Sequence, residues 1–309
     1  MILTICPNPS IDCTIELDSL NVGKLNRIDN KVETYSGKAL NVAMGVARLG
    51  EKSLATGFMF DNNAKLFEHN LEKEGVKYSF VYNKGSARVN YKIIDKRSML
   101  TEINDRGETV STEKQEELIK LVQTLSEDCN IAVMSGSLPK GMDSSFYGQV
   151  IKNIPERVKV IIDAEKNNTL SAIESRPICL VKPNLTELEG FVGSTINSFD
   201  DILKASSKYL DKGVENVLVS LGGEGAILTN GSSAWFCKSL SVAVNSTVGA
   251  GDCMVASTAV SIENGLPMPE ILRRAVSAGT AAVTTSGTNL FYKDKYEEIY
   301  DKVYPERLI

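Results

Sequence analysis

The stretch IAVMSGSLPKGMDSSFYGQVIKNIPERVKVIIDA, residues 131–164, decides the fold class. Residues 131–134 and 158–162 are short apolar runs rich in Val and Ile, and neither alternates with polar residues. Strands buried on both faces read this way. Between them, 144–153 carries a helical pattern. Strand, helix, strand in that order predicts a right-handed βαβ unit and a parallel sheet. Outward from there, similar apolar runs recur at 2–6, 53–58, 178–181 and 217–219, and helix-like segments at 38–49, 112–127 and 200–212. The whole predicts an α/β fold, a doubly wound and mostly parallel sheet.

Two excursions break the pattern. In 11–17, Ile11, Cys13, Ile15 and Leu17 fall on one face and Asp12, Thr14 and Glu16 on the other. In 88–93, Val89, Tyr91 and Ile93 oppose Arg88, Asn90 and Lys92. Period-two alternation predicts half-buried antiparallel strands, and 27–35 and 99–104 look similar. The expectation is a small β-sheet lid built from 11–35 and 87–104, over a core of 1–10, 36–86 and 105–309. Arg88, Asn90 and Lys92 would share its polar face.

Composition narrows the function. The 309 residues include 34 basic and 39 acidic side chains, a formal net charge of −5. That balance argues against a nucleic-acid or anionic-membrane partner and leaves room for a small basic pocket. The single histidine, His69, sits in a polar helical run at 62–75 and reads as a surface residue. A Ser-His-Asp or multi-histidine metal site would have to rest on it alone. Six cysteines form no C-x-x-C and read as small buried hydrophobes in a reducing compartment. The start, MILTICPNPSID, lacks a basic leader, and no apolar stretch approaches the roughly 20 residues of a membrane span, so a cytoplasmic location is expected.

Open α/β sheets bind ligands beyond the C-terminal ends of their strands. At those ends stand Asn8, Ser135-Gly136-Ser137, Asp163, Lys182-Pro183-Asn184 and Ser220-Leu221-Gly222-Gly223. The strongest motif is STVGAGD, 246–252, followed by a helical run at 253–263. Its glycines admit an anion, the helix N-terminus points N–H groups at it, and Asp252 falls in the first turn. A dinucleotide fingerprint fails because Met254 stands where the third glycine belongs, and a Walker A loop is absent. Lys38 opens a helix after Ser36-Gly37, with Asn41 one turn on. Asn184 and Glu187 share a face at i, i+3, which suits Mg²⁺ held largely through waters or, equally, an ordinary capped helix start. Cys253 adjoins a helix N-terminus, which can lower a thiol pKa, although helix packing is the plainer reading.

These residues carry a resemblance to the PfkB-type, ribokinase-like carbohydrate kinases over nearly the full chain. TVGAGDCMVA (247–256) resembles the family's C-terminal signature, and SGKALNVAMGVARLG (36–50) its N-terminal one. KPNLTELE (182–189) is similar to the N-x-x-E region, and SGSLPKG (135–141) and SLGGEGA (220–226) also match. PNPSID (7–12) and TEIN (101–104) resemble the branch of 1-phosphofructokinase, tagatose-6-phosphate kinase and the minor 6-phosphofructokinase. Ser36 and Ala39 depart from the family's glycines, DAEKNN (163–168) from D-x-S-G, and Cys253 from serine.

The resemblance implies ATP-dependent phosphorylation of a ketohexose phosphate to a 1,6-bisphosphate. It implies Asp252 as base and the N–H groups of Gly249, Ala250 and Gly251 as an anion hole. Asp12, Gly37, Lys38, Asn41, Asn90 and Ser137 would line the sugar side, with Arg88, Lys92, Lys24 and Arg27 as further cations for its phosphate. Lys182, Asn184, Ser220, Gly222, Gly225, Ser246, Gly279 and Thr280 would line the ATP side, with 280–287 near adenine. Asn184 and Glu187 would lie near Mg²⁺. A monovalent cation near the loop before Gly249 and a homodimer through the lid are also implied. Two other classes stay open from the residues alone, an NAD(P)-dependent oxidoreductase and a non-catalytic sugar-phosphate-binding regulator; Met254 weighs against the first and Asp252 against the second.

Overall fold

The apolar runs become neighbours in one sheet because each is too hydrophobic to leave either face in water. The computed structural model describes residues 1–97, 99–285 and 290–309. Among the described residues the chain runs β1 (Ile2–Cys6), β2 (Ser10–Leu17), β3 (Asn30–Ser36), α1 (Lys38–Arg48), β4 (Ser53–Phe60), α2 (Ala64–Lys73), β5 (Lys77–Asn83), β6 (Arg88–Asp95) and β7 (Leu100–Asn104). It continues with α3 (Thr112–Ser126), β8 (Ile131–Ser135), α4 (Ser145–Lys152), β9 (Lys159–Asp163), α5 (Lys166–Ser175), β10 (Ile178–Val181), α6 (Leu185–Val192), α7 (Phe199–Leu210) and β11 (Val214–Ser220). The last elements are β12 (Ala226–Thr229), β13 (Ala234–Cys237), α8 (Ala250–Glu263), α9 (Met268–Ala282), α10 (Lys293–Tyr300) and β14 (Pro305–Arg307).

The large sheet has the order β14-β13-β12-β11-β10-β9-β8-β1-β4-β5. From β11 to β5 every pairing is parallel, as the sequence predicts. An antiparallel edge, β12 to β14, follows. Those strands span only four, four and three residues, too short for a periodic signal to show in sequence. The chain moves from β1 outward to β4 and β5, then returns to β8 on the other side of β1. At such a switch point the loops part and a crevice opens.

A second sheet has the order β3-β2-β6-β7. Its outer pairs are antiparallel, but the central pair, β2 with β6, is parallel, which corrects the all-antiparallel expectation. The reason is topological. Both strands lead off the same end of the parallel sheet, one after β1 and one after β5, so they run in the same direction. The register places Asp12 beside Asn90, Asn90 beside Asn104, and Lys92 beside Glu102. The opposite face holds a small apolar cluster of Cys13, Ile15 and Leu17 with Leu20, Val89 and Ile93. His69 is exposed on α2, and all six cysteines are buried free thiols.

Helix α8 is the internal strut. Every residue from Asp252 to Ile262 is buried, so it is apolar almost all round. It packs on α1, α9, β1 and β8. Two glycines set how close its neighbours come. A Cβ on Gly45 of α1 would lie 2.7 Å from the Ala256 Cβ, and one on Gly279 of α9 would lie 2.7 Å from Met254 Cγ. Backbone therefore meets side chain where a methyl group would force the helices apart.

Gly45→Ala is expected to destabilise the protein by about 1–3 kcal/mol through overpacking. Gly190→Ala, mid-helix in α6 with nothing within 4 Å of its added Cβ, should instead be neutral or stabilise by about 0.5–1 kcal/mol. Urea unfolding of both variants checks the sign difference.

Candidate active site

The cleft beside β1 has a volume of about 980 Å³ and lies between the C-terminal ends of the large sheet's strands and the polar face of the small sheet. It is lined by Asp12, Gly37, Lys38, Asn41, Arg88, Asn90, Lys92 and Ser137 on one side. On the other it is lined by Lys182, Asn184, Glu187, Ser220, Gly222, Gly225, Gly249, Ala250, Gly251, Asp252, Gly279 and Thr280. The tertiary structure thus brings together residues read from eight separate stretches of sequence. Three anticipated residues are not among the lining. Lys24 and Arg27 are exposed in the turn between β2 and β3, because that hairpin points its tip into solvent. Ser246 is occupied locally, its hydroxyl accepting from Val248 N at 3.3 Å. Residues 286 and 287 of the anticipated adenine segment lie outside the described residues.

The centre of the cleft is the N-terminus of α8. Gly249 caps it in the left-handed region (φ 80°), and the helix starts at Ala250, three residues before the start read from sequence. The first-turn N–H groups of a helix have no intrahelical acceptors and carry the positive end of its dipole. Asp252 stands in this turn and is 6% exposed. Asn41 Nδ2, one turn into α1, donates to Asp252 Oδ2 at 2.8 Å. Burial pushes the Asp252 carboxyl up to about 6; Lys38 pulls it down and Asp163 pushes it up, while the Asn41 bond and Lys182 pull it down.

Beside it lies an ion triad absent from the anticipated site. Asp163, the last residue of β9, is 1% exposed. Lys38 Nζ lies 3.2 Å from its Oδ2, and Lys182 Nζ 3.3 Å from its Oδ1. Ser135 Oγ donates to Oδ2 at 3.2 Å. Burial alone would raise the Asp163 pKa, but Lys182 and Lys38 more than reverse it and hold the carboxyl at about 2. The sequence signal was its place at a strand end next to the strand that ends in Lys182; nothing local reveals that Lys38 also reaches it.

The small sheet presents a second buried carboxylate. Asp12 Oδ1 accepts from Asn90 Nδ2 at 3.0 Å and Ser10 Oγ at 3.3 Å; Oδ2 accepts from Ser36 Oγ at 3.0 Å and Lys92 Nζ at 3.1 Å. Lys92, which lines the cleft, is therefore buried in an ion pair with Asp12. Ser36, noted in sequence only as a departure from glycine, is one of the donors. Arg88 differs. Its guanidinium donates to carbonyl oxygens of Asp105 at 3.1 Å and Asn8 at 3.5 Å, its buried Nε has no partner, and among the described residues it forms no salt bridge. Burial lowers its pKa, the mark of a cation lacking full compensation.

On the far side, Asn184 and Glu187 form a capping box. Asn184 Oδ1 accepts from Glu187 N at 2.8 Å, and Glu187 Oε2 accepts from Asn184 N at 2.8 Å. One Glu187 oxygen is thus committed to its own helix start. Pro183 O accepts from Ser220 N at 3.1 Å, which ties this turn to the glycine turn at 222–225. Leu240, Val242, Val244, Val276 and Val283 make an apolar end beyond it. Gly279 and Thr280 border that end, with Thr280 Oγ1 2.9 Å from Ser239 Oγ. Cys253 points away from the cleft into the core, and burial raises its thiol to about 12, so the helix terminus does not activate it.

The pfkB family carbohydrate kinase profile matches residues 8–295. The chain belongs to the pfkB family of carbohydrate kinases. The 1-phosphofructokinase of Bacillus subtilis is 30% identical, over 97% of this chain and 98% of its own length. The tagatose-6-phosphate kinase of Staphylococcus epidermidis is 29% identical, over 98% of each chain. The crystal structure of phosphofructokinase-2 from Escherichia coli in complex with potassium matches with a TM-score of 0.90 at 27% identity, covering 97% of this chain and 98% of that one. The protein is thus a carbohydrate kinase rather than a nicotinamide-dependent oxidoreductase.

The raised Asp252 pKa makes a stability prediction for this kinase. A carboxyl raised on folding contributes stability below its ordinary value and loses it as pH rises through about 6. At neutral pH the ionised group is a liability. Asp252→Asn, whose amide oxygen can still accept from Asn41, should be more stable than wild type at pH 8 by about 1–3 kcal/mol, and the gap should close near pH 4. Urea unfolding at both pH values checks this.

Proposed function

We propose that the protein transfers the γ-phosphoryl group of ATP to a ketohexose monophosphate, giving a 1,6-bisphosphate, with fructose 1-phosphate as the first substrate to test. The observation that carries this reading is the buried Asp252 at the α8 N-terminus, oriented by Asn41, between the small sheet's polar face and the glycine turns. The sugar hydroxyl gives its proton to Asp252 Oδ1 as its oxygen bonds to the γ-phosphorus and the bond to the ADP oxygen breaks. A base with a pKa of about 6 is ionised at neutral pH yet still able to take a proton. N–H groups of Gly249, Ala250 and Gly251 stabilise charge on the transferring group, which is most of what phosphoryl transfer needs.

Asp12 and Asn41 suit sugar hydroxyls, with Ser137, Asn90 and the Gly37-Lys38 turn beside them. Arg88, unpaired by any carboxylate among the described residues, suits the phosphate the substrate already carries. The glycine turn at Ser220, Gly222 and Gly225 and the apolar end near Gly279 and Thr280 suit the nucleotide. A cleft of about 980 Å³ is at the upper limit for one small ligand and has room for two end to end. Among the described residues no cluster of three or more His, Cys, Asp and Glu forms a metal cage. The acidic Glu187 with Asn184 at the rim therefore fits Mg²⁺ held chiefly by nucleotide phosphates and waters. When bound, the ion would neutralise phosphate charge. Potassium in the Escherichia coli structure supports adding a monovalent cation near the loop before Gly249.

The small sheet also exposes Val22, Leu25, Met99 and Ile103, each more than half accessible. That apolar surface supports pairing of the lid with the lid of a second copy. No helix among the described residues is long and apolar enough to cross a membrane.

ADP release from MgATP over a panel of fructose 1-phosphate, fructose 6-phosphate, tagatose 6-phosphate and unphosphorylated fructose tests the reading; turnover of none, or equal turnover of fructose itself, overturns it. With the active substrate, Asp252→Asn should lower kcat by roughly 10²–10⁴-fold while ATP still binds. Arg88→Ala should raise KM for the sugar phosphate by roughly 10–150-fold and leave KM for ATP nearly unchanged. Equal loss for both substrates would move Arg88 out of the phosphate site.

A further inference from the structure

We propose that Asp163 is a positioning residue for the phosphoryl transfer: its carboxylate holds the ammonium groups of Lys38 and Lys182 in the cleft wall beside the α8 N-terminus, and its own charge opposes theirs in setting the proton affinity of Asp252. The inference rests on the kinase reading above but concerns a residue that takes no part in binding or proton transfer itself.

The geometry carries it. Lys38 hydrogen-bonds Asp163 Oδ2 at 3.2 Å, Lys182 lies at ion-pair distance from Oδ1, 3.3 Å, without hydrogen-bond geometry, and the two lysines come from different elements. Lys38 opens α1, the helix that also supplies Asn41 to Asp252. Lys182 follows β10 and approaches α8, with its Nζ 3.4 Å from where a Cβ on Gly251 would sit. Both side chains line the cleft, whereas Asp163 does not. Asp163 is thus behind the wall, with the two cations in front of it. Its own position is set by its strand end and by Ser135, whose Oγ bonds both its carbonyl oxygen, at 2.9 Å, and Oδ2, at 3.2 Å.

A buried carboxylate with two ammonium partners leaves one net positive charge facing the ligand, in fixed positions. Without it, two like charges would repel one another across a low-dielectric wall and lose the anchor that fixes their positions. The charged or polar groups that act on Asp252 from the elements around it are Lys38 and Asn41 on α1, Asp163 at the end of β9 and Lys182 after β10, with Glu187 of α6 acting on Lys38. Asp163 is the anion among those acting directly, so its removal and the removal of a lysine must shift Asp252 in opposite directions. Damage to packing would not give opposite shifts.

The test is the acid limb of the pH profile of kcat for wild type, Asp163→Asn, Lys182→Met and the double variant, on one sugar phosphate with MgATP. The substrates' own phosphates titrate near pH 6 but equally in every assay, so the difference between variants is what is read. Asp163→Asn should move the limb to lower pH by roughly half to one unit and lower the plateau kcat at least tenfold. Lys182→Met should move it to higher pH, and the double variant should return it close to the wild-type position. An unmoved limb in both single variants, shifts in the same direction, or an Asp163→Asn plateau within threefold of wild type overturns the proposal. If Asp163→Asn does not fold, the opposed positions of Lys182→Met and the double variant decide. If the wild type turns over no sugar phosphate, the kinase reading has failed; the carboxyl infrared band of Asp252, titrated in wild type and in the same variants, then decides the Asp163 proposal alone.

Discussion

The close seating of α8 between α1 and α9 is the constraint on which the rest of the cleft depends. Gly45 and Gly279 leave no room for a methyl group against Ala256 and Met254, so the helix is held at near backbone contact on two sides. Packing of this density transmits position rather than absorbing it. The α8 N-terminus, the Asp252 carboxyl and Asn41 are therefore fixed relative to one another by core residues about one turn away. The contacts that give α8 its stability are apolar, and the groups at its tip are polar and buried, so the stabilising part of the helix supports the part that is strained electrostatically.

That electrostatic contrast is the second organising feature. Asp163 and Asp252 are both buried carboxylates close to the same lysines, yet one is held at about 2 and the other raised to about 6. Asp163 has two ammonium partners within 3.3 Å, while Asp252 has an amide donor and only more distant cations. Direct ion pairing outweighs burial in the first case, and burial wins in the second. Pairs of titratable groups pushed apart in this way divide roles, one remaining an ion and the other free to exchange a proton.

The small sheet contributes a third arrangement. Its cleft face is a hydrogen-bonded network around Asp12, and among the described residues Arg88 on that face has no carboxylate partner. Lys92 and Arg88 looked interchangeable in sequence, two residues of one charge on one strand face. The partner decides between them: β2 brings Asp12 within 3.1 Å of Lys92, while Arg88, at the strand's start, donates to carbonyl oxygens and among the described residues to no carboxylate.

The sequence by itself determined the parallel sheet, the two excursions that form the small one, and the stretches that reach the cleft. Each of these depends on a local property: an apolar run buried on both faces, strict alternation, or a glycine turn leading into a helix. It also marked Asp252, because a helix N-terminus after glycines has a local signature. Only the tertiary structure decided which strands of the small sheet run parallel, that Lys24, Arg27 and Ser246 stand apart from the cleft lining, that Lys92 is paired, and that Asp163 joins Lys38 to Lys182. The antiparallel edge, in strands of four residues or fewer, likewise needed its partners in place. The physical reason is common to all of these. Charge pairing and strand direction depend on groups from distant parts of the chain that meet only after folding, such as the 125 positions that separate Lys38 from Asp163.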